Sequence, residues 1–153
     1  LSPRIRKLKD VWNASHGVLD VQMLDWMSSA GLMDRSLMVE LQDEFLIYRY
    51  FGAGFRELLG SRFCEERIDT VQDGSGSEYA KTVVRHYYSV ISASEPYYDR
   101  ISTSLPDRNR DDDNPLHYRY FDYERGLFPC MTSDGSLVII GHTENIEQGL
   151  QLS

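Results

Sequence analysis

The sequence predicts an α+β fold: a five-stranded antiparallel sheet with helices packed on one face, preceded by a helical extension. Three observations carry this. Residues 116–143 read as a hairpin: a long aromatic strand (LHYRYFDYERGLFPCM), the turn TSDGS and an apolar strand (LVIIGHT). Asp134-Gly135 supplies the positive φ that a strand-reversing turn needs. Residues 77–92 (SEYAKTVVRHYYSVIS) repeat apolar positions at steps of three and four, the period of a helix with one buried face. Two shorter strands, 37–41 and 45–51, come earlier, joined by the polar turn Gln42-Asp43-Glu44. The run 137–140 is apolar and rich in β-branched residues. Such strands are buried on both faces inside a sheet, so the hairpin belongs at the sheet's centre.

Taken in order, residues 4–16 carry Ile5, Leu8, Val11 and Trp12 at helical spacing, with basic residues between them. A second helix is expected over 21–30, with Asp20 as N-cap and Gly31 as C-cap. Strand 45–51 (FLIYRYF) has bulk on both faces, and Gly52 and Gly54 end it. Residues 55–59 make a short helix stopped by Gly60, and 72–77 (QDGSGS) form a loop. Ser77 caps the long helix, with Glu78 in its first turn, where negative charge suits the helix dipole. Residues 96–103 read as a strand begun by Pro96, a position that costs no ladder bond. Residues 105–115 are a charged loop.

The 153 residues fit one domain, with 41% hydrophobic and 26% charged residues. A net charge of −8 with no basic cluster argues against nucleic acid and against an anionic membrane surface. No apolar run is long enough to span a bilayer and no signal-peptide pattern is evident, so the cytoplasm is the expected compartment. Cys64 and Cys130 have no metal-ligand spacing and are expected as buried thiols.

Several patterns in these residues resemble the PAS sensor domains, in particular a subgroup common in α-proteobacterial single-domain and sensor proteins. A helical stretch containing Trp12 precedes the first strand. Tyr48, Arg49 and Gly52 fit that subgroup's Tyr-Arg-x-x-Gly pattern. FRELLG at 55–60 resembles its short helix and leucine-Gly step. Tyr123, Arg125 and Pro129, followed by Ser133-Asp134-Gly135 and the strand 137–140, fit its Tyr-x-Arg-x-x-x-Pro, turn and apolar strand. Gly126 and Cys130 depart from it, standing where bulkier aliphatics are usual. The resemblance implies a helical extension over 1–31, a PAS-like domain over 32–145 and a C-terminal tail over 146–153. It also implies a non-catalytic signalling module that binds a small-molecule ligand or a signalling protein partner. The long helix would cover the inner face of the sheet. Val84, Tyr87, Tyr88 and Ile91 would form the helix wall of a pocket, and Tyr50, Phe128 and Ile139 the sheet walls. Tyr88 is the hydroxyl expected to meet a ligand. Ile5, Leu8 and Trp12 form a stripe outside that unit, which leads to a homodimer through the first helix.

Other chemistry has less support. The histidines His16, His86, His117 and His142 show no metal-binding spacing, so no metal site is expected. Helical geometry sets His86 opposite the expected buried face, exposed and without a ligand. Cys64 does not sit in the setting a flavin photosensor needs. Asp111-Asp112-Asp113 lacks the alternation of a calcium loop and reads as a solvated loop. Asn13-Ala14-Ser15 is a chance glycosylation triplet. Tyr118, Tyr120 and Tyr123 line a sheet face or a pocket. The alternative is a small cone-shaped α+β enzyme with Asp122 or His117 as general base. A raised pKa for Asp122 beside His117 would favour that enzyme.

Overall fold

The computed structural model describes residues 1–53, 78–106 and 117–152, with side chains described over 1–50, 52–53, 82–102 and 122–144. The expected short helix at 55–59, Cys64, the loop 72–77, the Asp111–Asp113 run and the side chains of His117, Tyr118 and Tyr120 lie outside the described residues.

Helix α1 runs Pro3–Ala14. Ser2 caps it, its hydroxyl accepting from the Ile5 amide, and Pro3 begins it where no donor is needed. Helix α2, Val21–Ser29, is capped by Asp20 through the Met23 amide at 2.8 Å, as expected. A 3-10 turn, Met33–Arg35, leads into β1, Ser36–Gln42, and β2, Phe45–Phe51. Then come α3, Glu78–Ala93, β3, Tyr97–Pro106, β4, His117–Met131, and β5, Leu137–Leu152.

The strands form one antiparallel sheet in the order β2-β1-β5-β4-β3. The five-stranded α+β architecture is therefore as the pattern required, and β5 is its middle strand. Residues 146–152, expected as a tail, continue β5, with His117 opposite Leu152. A bulge falls between Met38 and Val39. Met38 pairs with Tyr50 and Val39 with Tyr48, so Arg49 is the extra residue on β2. Gly52 passes against the 3-10 turn so closely that a Cβ there would collide with the carbonyl oxygens of Met33 and Asp34.

Both faces of the sheet are covered. Under α3 lies one apolar cluster, including Leu37, Val39, Tyr48, Val83, Tyr87, Leu127 and Ile139. On the other face α1 and α2 bury Ile5, Leu8, Met23 and Met27 against Phe128, Cys130, Val138 and Ile140. Alternation along β5 explains the split, since Val138 and Ile140 face one way and Ile139 the other. Ile5 and Leu8 are 0% exposed, and full burial of each is worth about 1.5–3 kcal/mol. Trp12 donates its indole N–H to the Pro129 carbonyl at 2.7 Å. The stripe expected at a dimer interface is thus covered by the protomer's own sheet. The apolar face of α1 required a cover, and β4 and β5 supply it.

Candidate functional site

The inner face, beneath α3, carries an apolar cluster. Val83, Tyr87 and Val90 of α3 meet Leu37 and Val39 of β1, Leu46 and Tyr48 of β2, Leu127 of β4 and Ile139 of β5. The Tyr48 and Tyr87 rings pack edge to face, 6.4 Å apart. Of the residues expected to line a pocket, Tyr87 and Ile139 are in this packed core, and Val84 and Ile91 lie at its margin.

The other three are elsewhere. Phe128 is on the opposite face, beneath α1 and α2. Tyr50 shares that face with Met38, because the bulge at Arg49 reverses the alternation of β2; its hydroxyl donates to the Met33 carbonyl at 3.1 Å. Tyr88 is 40% exposed, and its hydroxyl donates to the Glu44 carbonyl at 3.0 Å. Tyr88 thus lies outside the interior in which its hydroxyl was expected to meet a ligand. The cause is the rotation of α3. Its buried face centres on Val83, Tyr87 and Val90 rather than on Val84, Tyr88 and Ile91, a turn of roughly 100°, or one residue.

The same rotation brings His86 to the seam between α3 and the sheet, half-buried rather than opposite it. There the inner face turns polar. Arg125 on β4 and Asp99 on β3 are cross-strand partners. The guanidinium of Arg125, only 4% exposed, donates from Nε to Asp99 Oδ1 at 2.9 Å and from Nη2 to Asp99 Oδ2 at 2.7 Å. Nη2 also donates to Nδ1 of His86 at 2.6 Å. The His86 ring leans on Tyr97, centroids 4.9 Å apart.

These contacts fix chemistry. An arginine always donates, so Nδ1 of His86 is an acceptor and its proton sits on Nε2. An imidazole held in this tautomer has no Nε2 lone pair to offer a haem iron. Burial lowers the His86 pKa, Arg125 and Arg85 lower it further, and Asp99 opposes them. Burial works to lower the Arg125 pKa as well, but the Asp99 carboxylate, with Tyr87 and Tyr123, more than reverses it, and the net shift is upward. The seam is therefore a neutral imidazole N–H donor backed by a fixed ion pair and an aromatic ring. It can hold a polar group that accepts a hydrogen bond.

Asp122, the alternative's general base, is on the outer face. Arg100 clamps both its oxygens, at 2.8 and 2.6 Å, and Ser102 adds a third bond at 3.0 Å. Its pKa is lowered, first by the Arg100 hydrogen bonds. That is the reverse of the raised value the enzyme reading called for.

At the β4–β5 turn a half-open groove of about 230 Å³ separates the C-terminal ends of α1 and α3, lined by Trp12, His16, Ile91, Pro129, Cys130 and Leu137. Cys130 is buried as expected, and burial pushes its thiol up to about 12. Among the described residues no group of three or more His, Cys, Asp or Glu is arranged to hold a metal ion. No helix among them is long and apolar enough to cross a membrane.

The identity of Arg125 was legible in the sequence as part of a motif, whereas its partners were not. Asp99 and His86 lie 26 and 39 residues away, and only sheet register and helix rotation join them. No protein-family model matches this chain, and a search of curated proteins finds no match.

Proposed function

We propose that this chain is a PAS-like sensory module of the cytoplasm, in which a small polar ligand contacts the seam between α3 and the sheet at His86, and the signal passes to a protein partner. The observation that carries the reading is the Arg125–Asp99 pair, its guanidinium buried and its carboxylate partly so, with His86 upon it. Burying such a pair costs several kcal/mol per ion in desolvation, and well-packed apolar residues of the same volume often serve stability as well or better. A charged cluster kept at the edge of an otherwise apolar core fits a site that works on something polar.

The order of elements supports the same reading: helices, two strands, a long helix, and three strands. The motif residues also sit at junctions. Tyr48 is in the core, Arg49 forms the bulge and pairs with Glu40 at 2.6 Å, and Gly52 passes the 3-10 turn. Asp122, held ionised by Arg100, is a poor general base, which weighs for the sensor over the small enzyme.

The test is a comparison of thermal unfolding before and after stripping. Unfolding the purified protein in denaturant, dialysing and refolding it removes any small molecule that came with it. Stripped wild type should unfold at a lower temperature than protein as purified, since a ligand that binds only the folded state stabilises it by mass action. His86→Ala should show no such difference. Equal midpoints for the two wild-type samples would overturn the proposal.

A further inference from the structure

On the outer face, across the sheet from the seam, a second histidine is enclosed completely. His142 of β5 is 0% exposed. Its Nδ1 lies 2.8 Å from the Ser36 hydroxyl on β1, and its Nε2 lies 2.7 Å from Glu144 Oε1. The Ser36 hydroxyl also reaches the Leu32 carbonyl at 2.8 Å. Leu32 is itself buried, at the corner between α2 and the 3-10 turn, and its amide donates to the Met27 carbonyl.

A serine hydroxyl has one proton and here it has two acceptors to choose from. With His142 neutral, Nε2–H donates to the Glu144 carboxylate and the Ser36 O–H donates to Nδ1. The Leu32 carbonyl is still served by the Arg35 amide at 3.2 Å. With His142 protonated, Nδ1–H donates to the Ser36 oxygen, and the hydroxyl must turn to Leu32. Both protonation states are fully hydrogen-bonded, and only hydrogen positions differ between them. At 0% exposure an unmet donor or acceptor would be costly, and neither state leaves one.

We propose that Ser36, His142 and Glu144 form a proton-operated latch, in which uptake of one proton at Nδ1 of His142 turns the Ser36 hydroxyl from the imidazole onto the Leu32 carbonyl. The latch joins the middle strand to the corner that carries the N-terminal helices. It stands independently of what the α3 seam binds.

The charges around it set the direction of its response. Arg4 comes from α1, with Nη1 3.8 Å from Glu144 Oε1. Arg35 comes from the 3-10 turn, and Glu144 shares the strand of His142. Glu124 on β4 is the cross-strand partner of Glu144 and accepts from the Ser2 amide at 2.8 Å. Burial lowers the His142 pKa, Glu144 raises it, Arg4 and Arg35 lower it, and the net shift is downward. An unfolded histidine titrates near ~6.5. Between that value and the lower folded one, the unfolded chain binds more protons. The latch's contribution to stability is thus complete above ~6.5 and is lost as pH falls through the folded midpoint. Acid loads the latch and, through this group, weakens the fold.

The experiment is an NMR titration of the whole chain from pH 8 to pH 5, following the ring nitrogens of His142 and the carbonyl carbon of Leu32. Nδ1 should be unprotonated at pH 8 and should gain its proton with a midpoint below ~6.5, and the Leu32 carbonyl should shift with the same midpoint. In Ser36→Ala the imidazole should still titrate while Leu32 no longer follows. Should that variant fail to fold, Glu144→Gln serves instead: the midpoint of His142 should fall, and Leu32 should follow it to the new value. A proton already on Nδ1 at pH 8, an imidazole that does not titrate in this range, or a Leu32 carbonyl indifferent to His142 would each overturn the latch.

Discussion

Gly126→Ala probes the contact that binds α1 to the sheet. A Cβ at position 126 would stand 2.9 Å from Cε2 of Phe128 and 3.1 Å from Cγ2 of Ile5. Carbon atoms prefer separations of about 3.5–4.0 Å. Both neighbours are side chains at 0% exposure, packed in the core. Overpacking of this kind costs about 1–3 kcal/mol. Restricting the unfolded chain returns about 0.4–1 kcal/mol, so the net loss should centre on ~1.3 kcal/mol, within about 0–2.6. Ile5→Ala alone should cost about 2–5 kcal/mol. In the double variant the crowding is relieved, because the Phe128 ring can tilt into the space Ile5 vacates. Adding Gly126→Ala to Ile5→Ala should then cost close to nothing, a coupling of about 1 kcal/mol or more. Urea unfolding of the four proteins measures this. At a slope of about 2 kcal/mol per molar, a Gly126→Ala loss of ~1.3 kcal/mol is a midpoint shift of roughly 0.65 M. Additive costs, or an Ile5→Ala loss under about 0.5 kcal/mol, would refute the packing of α1 on this sheet.

Two further outcomes follow from burial. In a Cys64→Ser background, Cys130 should react with a thiol reagent at pH 8 only at the rate of global unfolding, because its pKa of about 12 leaves almost no thiolate; fast labelling of native protein would contradict that. Tyr88→Phe should change stability by less than about 0.5 kcal/mol, since its hydroxyl bonds the β1–β2 turn at the surface, and a larger loss in thermal or urea unfolding would show that α3 is turned differently.

The pattern rules read the sheet well because its signals are local. Asp134-Gly135 set the hairpin, and Thr132 and Ser136 close it through Thr132 N–H to the Ser136 carbonyl at 2.9 Å. The extent of β5 was also present in the sequence, in the alternation of Ile146, Gln148, Leu150 and Leu152, but polar neighbours concealed it. The covered outer face had a signal too. A run such as Val138–Ile140, buried on both sides, needs a second cover, and the stripe of Ile5 and Leu8 was available in the same chain. What periodicity cannot fix is rotation and register to within one residue. An error of ~100° on α3 exchanged Tyr88 for Val90 and hid His86. A one-residue bulge at Arg49 turned Tyr50 to the far face. The seam and the latch both depend on such registers, with His142 meeting Ser36 across 106 residues of chain.

Native mass spectrometry of the protein as purified tests the sensory reading most directly. The account predicts a species heavier than the bare chain by one small molecule, carried by wild type and absent from His86→Ala. Bare chain mass for wild type, or a bound molecule that His86→Ala retains in full, would contradict ligand binding at the α3 seam.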